Sequence, residues 1–249
     1  MKPFPAREII KHPTSAKERL IVALDVSSVD EAWAIINRLE GLVSFFKIGL
    51  QLQLSVGLAF VKELIENGNR VFLDYKYFDI EETVQRAVSQ VAAIGVSFLT
   101  VHGNGPTIRA AVEGRGNSDL KILSVTVLTS LDSVDILDLG FQCEVDELVL
   151  YRAKKALEAG CDGVIASGKE AEAIREMAGE QPLLIVTPGI RPETASLDDH
   201  KRPVTPAAAI SAGADYLVVG RPITAADDPR AAAESILAEM QAAFDAVSS

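Results

Sequence analysis

Eight short apolar runs, each followed by a segment of helical pattern, fill the chain from residue 20 onward. Alternation of this kind predicts a parallel sheet with helical crossovers. Eight such units in 249 residues predict that the sheet closes into a single-domain (β/α)8 barrel, the TIM-barrel architecture. The first predicted turn supports closure. It reads Asp25-Val-Ser-Ser28, without the glycine-rich fingerprint that an open dinucleotide-binding sheet carries there. No shift in composition marks a second domain. Residues 1–18, with Pro3, Pro5 and Pro13, read as an N-terminal arm holding at most one helical turn, and residues 19–249 as the barrel.

The first run, Leu20-Ile-Val-Ala-Leu24, is apolar throughout and closed by Asp25. Continuous runs suit parallel strands covered on both faces. Ser27 or Ser28 is placed to cap a helix over 29–39. Further strands are predicted at 43–48, 70–73, 98–102, 121–128, 163–166, 183–187 and 216–219. Helices are predicted at 55–67, 80–94, 106–113, 144–158, 169–178, 206–211 and 229–246. Gly68, Gly95, Gly160 and Gly179 each stand where a helix should stop.

A net charge of −11 and a pI near 4.8 argue against nucleic-acid polymers and anionic membrane surfaces as partners. An anionic substrate must therefore be held by local positive charge. Cys143 and Cys161 form no C-x-x-C pair, which fits a reducing, cytoplasmic setting and not a zinc ribbon. His12, His102 and His200 show no metal-binding spacing, so no metal site is expected. The N-terminus lacks the apolar core of a signal peptide. No apolar run reaches the roughly 18 residues needed to span a membrane.

In a parallel barrel, chemistry gathers at the C-terminal ends of the strands. Those ends carry Asp25, Lys47, Asp74 with Lys76, His102, Thr129, Arg191 and Gly220-Arg221. Several have plain structural alternatives. Asp25 could cap a helix, Lys47 could extend its ammonium out of a buried strand, and Thr129 could satisfy a loop amide. His102, as a lone histidine, reads first as a brace for its loop. The stretch Val71-Phe-Leu-Asp74-Tyr-Lys76-Tyr-Phe-Asp79 is harder to explain by stability. Burying an acid, a base and a second acid costs several kcal/mol of desolvation. In an extended segment Asp74 and Lys76 share a face, while Asp79 lies beyond it. Near the end of the chain, Gly220 allows close backbone approach to an oxyanion and Arg221 adds a forked cation. With Arg191, they read as a phosphate site of the kind found after strands seven and eight. The long polar loop over 190–204 reads as a lid.

Four motifs then resemble the orotidine 5′-monophosphate decarboxylase family. They are Ala23-Leu-Asp25, Asp74-x-Lys76-x-x-Asp79-Ile80, Val125-Thr-Val-Leu-Thr129-Ser130, and a tail reading VTPGIRP, KRPVTP and AGADYLVVGRPIT. The resemblance implies decarboxylation of orotidine 5′-monophosphate to UMP, without metal or organic cofactor. It implies that Asp25 binds a ribose hydroxyl and that Lys47 bridges ribose and catalytic carboxylate. Asp74 would sit beside the substrate carboxylate, Lys76 would protonate C6, and Thr129 would lie against the pyrimidine. Arg191, Gly220 and Arg221 would hold phosphate. Asp79 and Thr83 would enter the neighbouring site of a homodimer. The chain departs from the family pattern at His200, where the lid usually has glutamine, at Phe78, where histidine is frequent, and at Glu81-Glu82, where Pro-Asn is frequent. The alternatives are a Mg²⁺-dependent sugar-phosphate lyase, disfavoured by Lys47 where an acid is expected, and a non-catalytic UMP-binding homologue.

Overall fold

The computed structural model describes residues 15–192 and 204–247. It is a closed barrel of eight parallel strands in sequence order. The strands are β1 (Leu20–Ala23), β2 (Phe45–Gly49), β3 (Arg70–Tyr77), β4 (Phe98–Val101), β5 (Lys121–Val125), β6 (Gly163–Ile165), β7 (Leu184–Thr187) and β8 (Tyr216–Val219). Before β1 lies α1 (Ala16–Arg19). The connecting helices are α2 (Val29–Arg38), α3 (Leu50–Glu66), α4 (Glu81–Ile94), α5 (Gly105–Arg115), α6 (Ser133–Asp138), α7 (Val145–Glu158), α8 (Ala171–Ala178), α9 (Pro206–Ser211) and α10 (Arg221–Thr224). The last helix, α11 (Pro229–Val247), closes the ring. The seam joins β1 to β8, with Val22 opposite Val219.

Period-two alternation divides the apolar residues into two cores. Ile21, Ala23, Phe45, Phe72, Phe98, Leu123, Leu184, Val186, Tyr216 and Val218 fill the barrel interior. Their strand neighbours, among them Leu20, Val22, Phe46, Leu73 and Ile185, pack outward against the helices. The interior is plugged at the strands' N-terminal end. The Arg70 guanidinium lies 4.0 Å from the centre of the Phe45 ring, within 6 Å of Phe98 and Tyr216 as well, and donates to the Glu18 carbonyl.

Two buried carboxylates tie adjacent strands at that same end. Asp162 accepts from the Ile122 amide and from Arg115. Asp215 accepts from the Ile185 amide at 2.7 Å and from Arg175 at 2.6 Å. The local sequences, Gly160-Cys-Asp162 and Gly213-Ala-Asp215, repeat the same device. Removing one partner of such a buried pair typically costs about 3–5 kcal/mol.

Capping follows the sequence in most places. The Ser28 hydroxyl accepts from the Glu31 amide at the start of α2, and Gly95 ends α4 in the left-handed region at φ 87°. Five elements differ from expectation. β3 continues to Tyr77 instead of stopping at Leu73, with its register against β4 slipping between those residues. β5 ends at Val125, short of the expected 128. α3 begins at Leu50 instead of near residue 55 and is interrupted by Gly57 at φ 63°. Two short helices, α6 and α10, were not anticipated. Of the expected N-terminal arm, only residues from 15 onward are described. Ala16 there is tied to Gln241 of α11 by a 3.0 Å hydrogen bond. No helix among the described residues is long and apolar enough to cross a membrane.

Candidate active site

The inward parity of the strands decides which polar residues meet. Continuing each interior row by two residues takes Ala23 to Asp25, Phe45 to Lys47 and Gly49, Phe72 to Asp74, Phe98 to Thr100, and Val218 to Gly220. These positions converge at the C-terminal mouth of the barrel. There a cavity of about 540 Å³ is lined by Asp25, Lys47, Asp74, Lys76, Thr129, Arg191, Gly220 and Arg221. Its remaining wall includes Phe72, Val125, Val127, Ile165, Pro188 and Val218, so charge and apolar surface share one chamber.

The charged groups form a continuous chain, acid–base–acid–base. Lys47 Nζ stands 2.9 Å from Asp25 Oδ1 and 3.7 Å from Asp74 Oδ2. Asp74 Oδ1 accepts from Lys76 Nζ at 2.8 Å and from the Thr100 hydroxyl at 3.0 Å. Thr100 in turn accepts from the Lys76 backbone amide at 3.0 Å. Burial alone would raise the pKa of Asp74. Attraction from Lys47 and Lys76, with hydrogen bonds from Lys76 and Thr100, outweighs it, and the carboxyl lies below the usual aspartate value. A depressed folded pKa means that this contribution to stability is complete above the unfolded value of about 3.9. It is lost only as pH falls through the folded value. Asp74 is therefore a carboxylate across the neutral range.

Lys76 is the one described non-glycine residue with positive φ, at 51°. It falls within the register slip of β3. The local turn of the backbone does not separate it from Asp74, since their side chains stay in contact. A strained conformation held at the centre of a charged cluster is a recurrent feature of functional sites.

Arg191 is buried, its amide donating to the Val204 carbonyl and its guanidinium to the Ile190 carbonyl at 2.8 Å. Ile190 and Val204 form an isolated bridge. Residues 193–203 of the expected lid, His200 among them, lie outside the described residues. Asp79 and Thr83 do not line the cavity. Both are exposed, and the Asp79 carboxylate accepts from the Ile80 amide at 2.7 Å. Phe78 and Ile80 beside Asp79 are 67% and 70% exposed, and Leu50 and Leu54 of α3 are 59% and 90% exposed.

His102 stays out of the cavity. Its amide donates to the Tyr77 carbonyl at 3.0 Å and its ring stands edge-on to Phe78, with centroids 6.1 Å apart. Burial first, then the positive charges of Arg152 and Lys76, lower its pKa, so the imidazole is neutral at pH 7. Thr100 was missed by the sequence reading, although a polar residue two beyond Phe98 was its signal. Gln51, also on the cavity wall and bonded to Ser27 at 2.9 Å, sits past the strand end, where no pattern singled it out. Among the described residues, no three His, Cys, Asp or Glu side chains gather as a metal site would need.

A model of the Orotidine 5′-phosphate decarboxylase / HUMPS family matches residues 18–236. The orotidine 5′-phosphate decarboxylase of Nitrobacter winogradskyi is 56% identical over 225 residues, covering 90% of this chain and 93% of that protein. The protein of that name from Rhodopseudomonas palustris strain HaA2 is 51% identical over 224 residues, covering 90% and 95%. Among solved structures, orotidine 5′-phosphate decarboxylase from Lactobacillus acidophilus superposes with a TM-score of 0.78 at 37% identity, covering 89% of this chain and 98% of that one.

Proposed function

The chain belongs to the orotidine 5′-phosphate decarboxylase / HUMPS family, and on that premise we propose how its pocket works. The substrate is orotidine 5′-monophosphate, the product is UMP, and the setting is pyrimidine biosynthesis in the cytoplasm. The reaction uses no metal and no organic cofactor. The observation that carries this reading is the Asp25–Lys47–Asp74–Lys76 chain at the mouth of the barrel.

The C6–carboxylate bond breaks, CO₂ leaves, and the electron pair remains on C6. The Lys76 ammonium stabilises that developing charge and gives C6 a proton; solvent then reprotonates the amine. Asp74 holds the Lys76 ammonium in place through their 2.8 Å ion pair. Asp74 also lies beside the substrate carboxylate, whose departure relieves the repulsion between them. Asp25 and Lys47 hold the ribose, and Thr129 meets the pyrimidine. Arg191, Gly220 and Arg221 hold the phosphate, so binding energy from a remote group is used at the reacting carbon. His200, in the segment that the sequence reads as a lid, is proposed as a further substrate contact.

A homodimer completes the site. Asp79 and Thr83 lie outside their own cavity and among exposed apolar side chains, a placement that suits delivery into a partner's pocket. Strand two ends Lys47-Ile-Gly49, with a lysine where an acid would stand, which favours this chemistry over metal-dependent sugar-phosphate cleavage.

The phosphate assignment is tested with Arg221→Ala on two substrates. A charge-assisted contact is worth about 1.5–3 kcal/mol, so kcat/KM for the nucleotide should fall roughly 10- to 100-fold. Turnover of orotidine, which lacks the phosphate, should be unchanged. Equal losses on both substrates would place the phosphate elsewhere.

A further inference from the structure

Gly49 ends β2 directly above Lys47. Its backbone is extended, with φ −94° and ψ −176°, a conformation open to any residue. Neither a turn nor positive φ calls for glycine here. It continues the inward row of Phe45 and Lys47, so a side chain would project into the mouth of the barrel. A Cβ at this position would lie 3.1 Å from Asp25 Oδ1 and 3.1 Å from Lys47 Nζ. Ordinary non-bonded carbon contacts are about 3.5–4.0 Å. One methyl group would therefore press on both poles of the 2.9 Å ion pair at once. Lys47 has little room to yield, being 8% exposed and faced on its other side by Asp74. Asp25 is freer, with its side chain 55% exposed, but a shift away from residue 49 disturbs its 2.9 Å contact with Lys47. Gly220 across the cavity differs: a Cβ there would meet nothing nearer than 3.6 Å.

We infer that Gly49 is a positioning residue, whose missing side chain lets the Lys47 ammonium reach Asp25 and Asp74 together. It also keeps open the corner beside those two groups, where the ribose is placed. The inference rests on the decarboxylase reading of the pocket.

Gly49→Ala is expected to lower kcat/KM for orotidine 5′-monophosphate by about tenfold, since the ammonium and carboxylate must give by a few tenths of an ångström and a full 1 Å misplacement costs about 100-fold. The deciding readout is a double-mutant cycle with Asp25→Ala. Removing the carboxylate gives the Lys47 ammonium space to retreat, so the alanine at 49 should then cost less than about threefold. The same penalty in both backgrounds would overturn the inference, as would native activity in Gly49→Ala alone. If Gly49→Ala fails to fold but the double variant folds, the crowding is supported; if both fail, the clash lies elsewhere and the inference falls. NMR of isotope-labelled lysine ammonium groups reads the contact without substrate. The Lys47 signal should move in Gly49→Ala, and by more than it does when the same change is made in the Asp25→Ala background, where no ion pair is left to disturb. Failure of the parent enzyme to turn over the nucleotide would count against the decarboxylase reading. The NMR comparison would still decide whether Gly49 positions Lys47, and an unmoved signal would overturn it.

Discussion

Lys76→Ala is expected to remove at least about four orders of magnitude of turnover while leaving UMP affinity within roughly tenfold of the parent. The lysine has two separate jobs. It supplies fixed positive charge where a carbanion forms, and it supplies the proton that quenches it. Each effect is typically worth about two to four orders of magnitude. Binding should survive because the phosphate and ribose contacts come from other strands. Asp74 would keep Lys47 and Thr100 as partners, so the pocket should retain its shape. Ultraviolet assay of turnover, paired with UMP titration, reads the two quantities independently. Near-parental turnover would contradict the role given to Lys76. Lost turnover with lost UMP binding would instead make the lysine a structural keystone.

The second large effect is rescue by mixing. Asp79→Ala and Lys76→Ala chains should each be inactive alone, and equal mixtures should recover activity once subunits exchange. Random pairing makes half of the dimers mixed, and one of the two sites in each mixed dimer has both residues, so recovery should approach about a quarter of the parental activity. The placement of Asp79 motivates the experiment: it is exposed, outside the cavity, and beside Phe78 and Ile80. Exchange is followed with differently tagged chains. No recovery despite proven exchange would mean that each site is built from one chain.

The fold was readable because parallel strands write themselves as short, doubly covered apolar runs, and the site because Asp25, Lys47, Asp74 and Arg221 fall at the C-terminal ends of those runs. Asp25, Lys47 and Asp74 each fall two residues beyond an interior apolar residue, and the structure brings them together. The path of β3 was harder to read. The strand was expected to stop at Leu73, yet pairing with β4 resumes at Tyr77 across a register slip, with Lys76 at positive φ. Tertiary pairing overrides local preference there. α6 opens with Asp132 and Asp135, a capping box written in two aspartates, and α10 has only four residues, too few for a periodic signal. The start of α3 was obscured by Gly57, which breaks the helical pattern after Leu50 to Val56. A pairing across a dimer has no local signature at all. Asp79 was legible as a functional residue only through the motif that contains it.

The most direct test of the account follows orotidine 5′-monophosphate by ultraviolet absorbance with purified protein in excess EDTA. Rapid conversion to UMP, undiminished by the chelator, is the predicted result. No conversion with UMP still bound would leave a nucleotide-binding protein without the proposed chemistry. Activity lost to EDTA and restored by Mg²⁺ would contradict the metal-free mechanism.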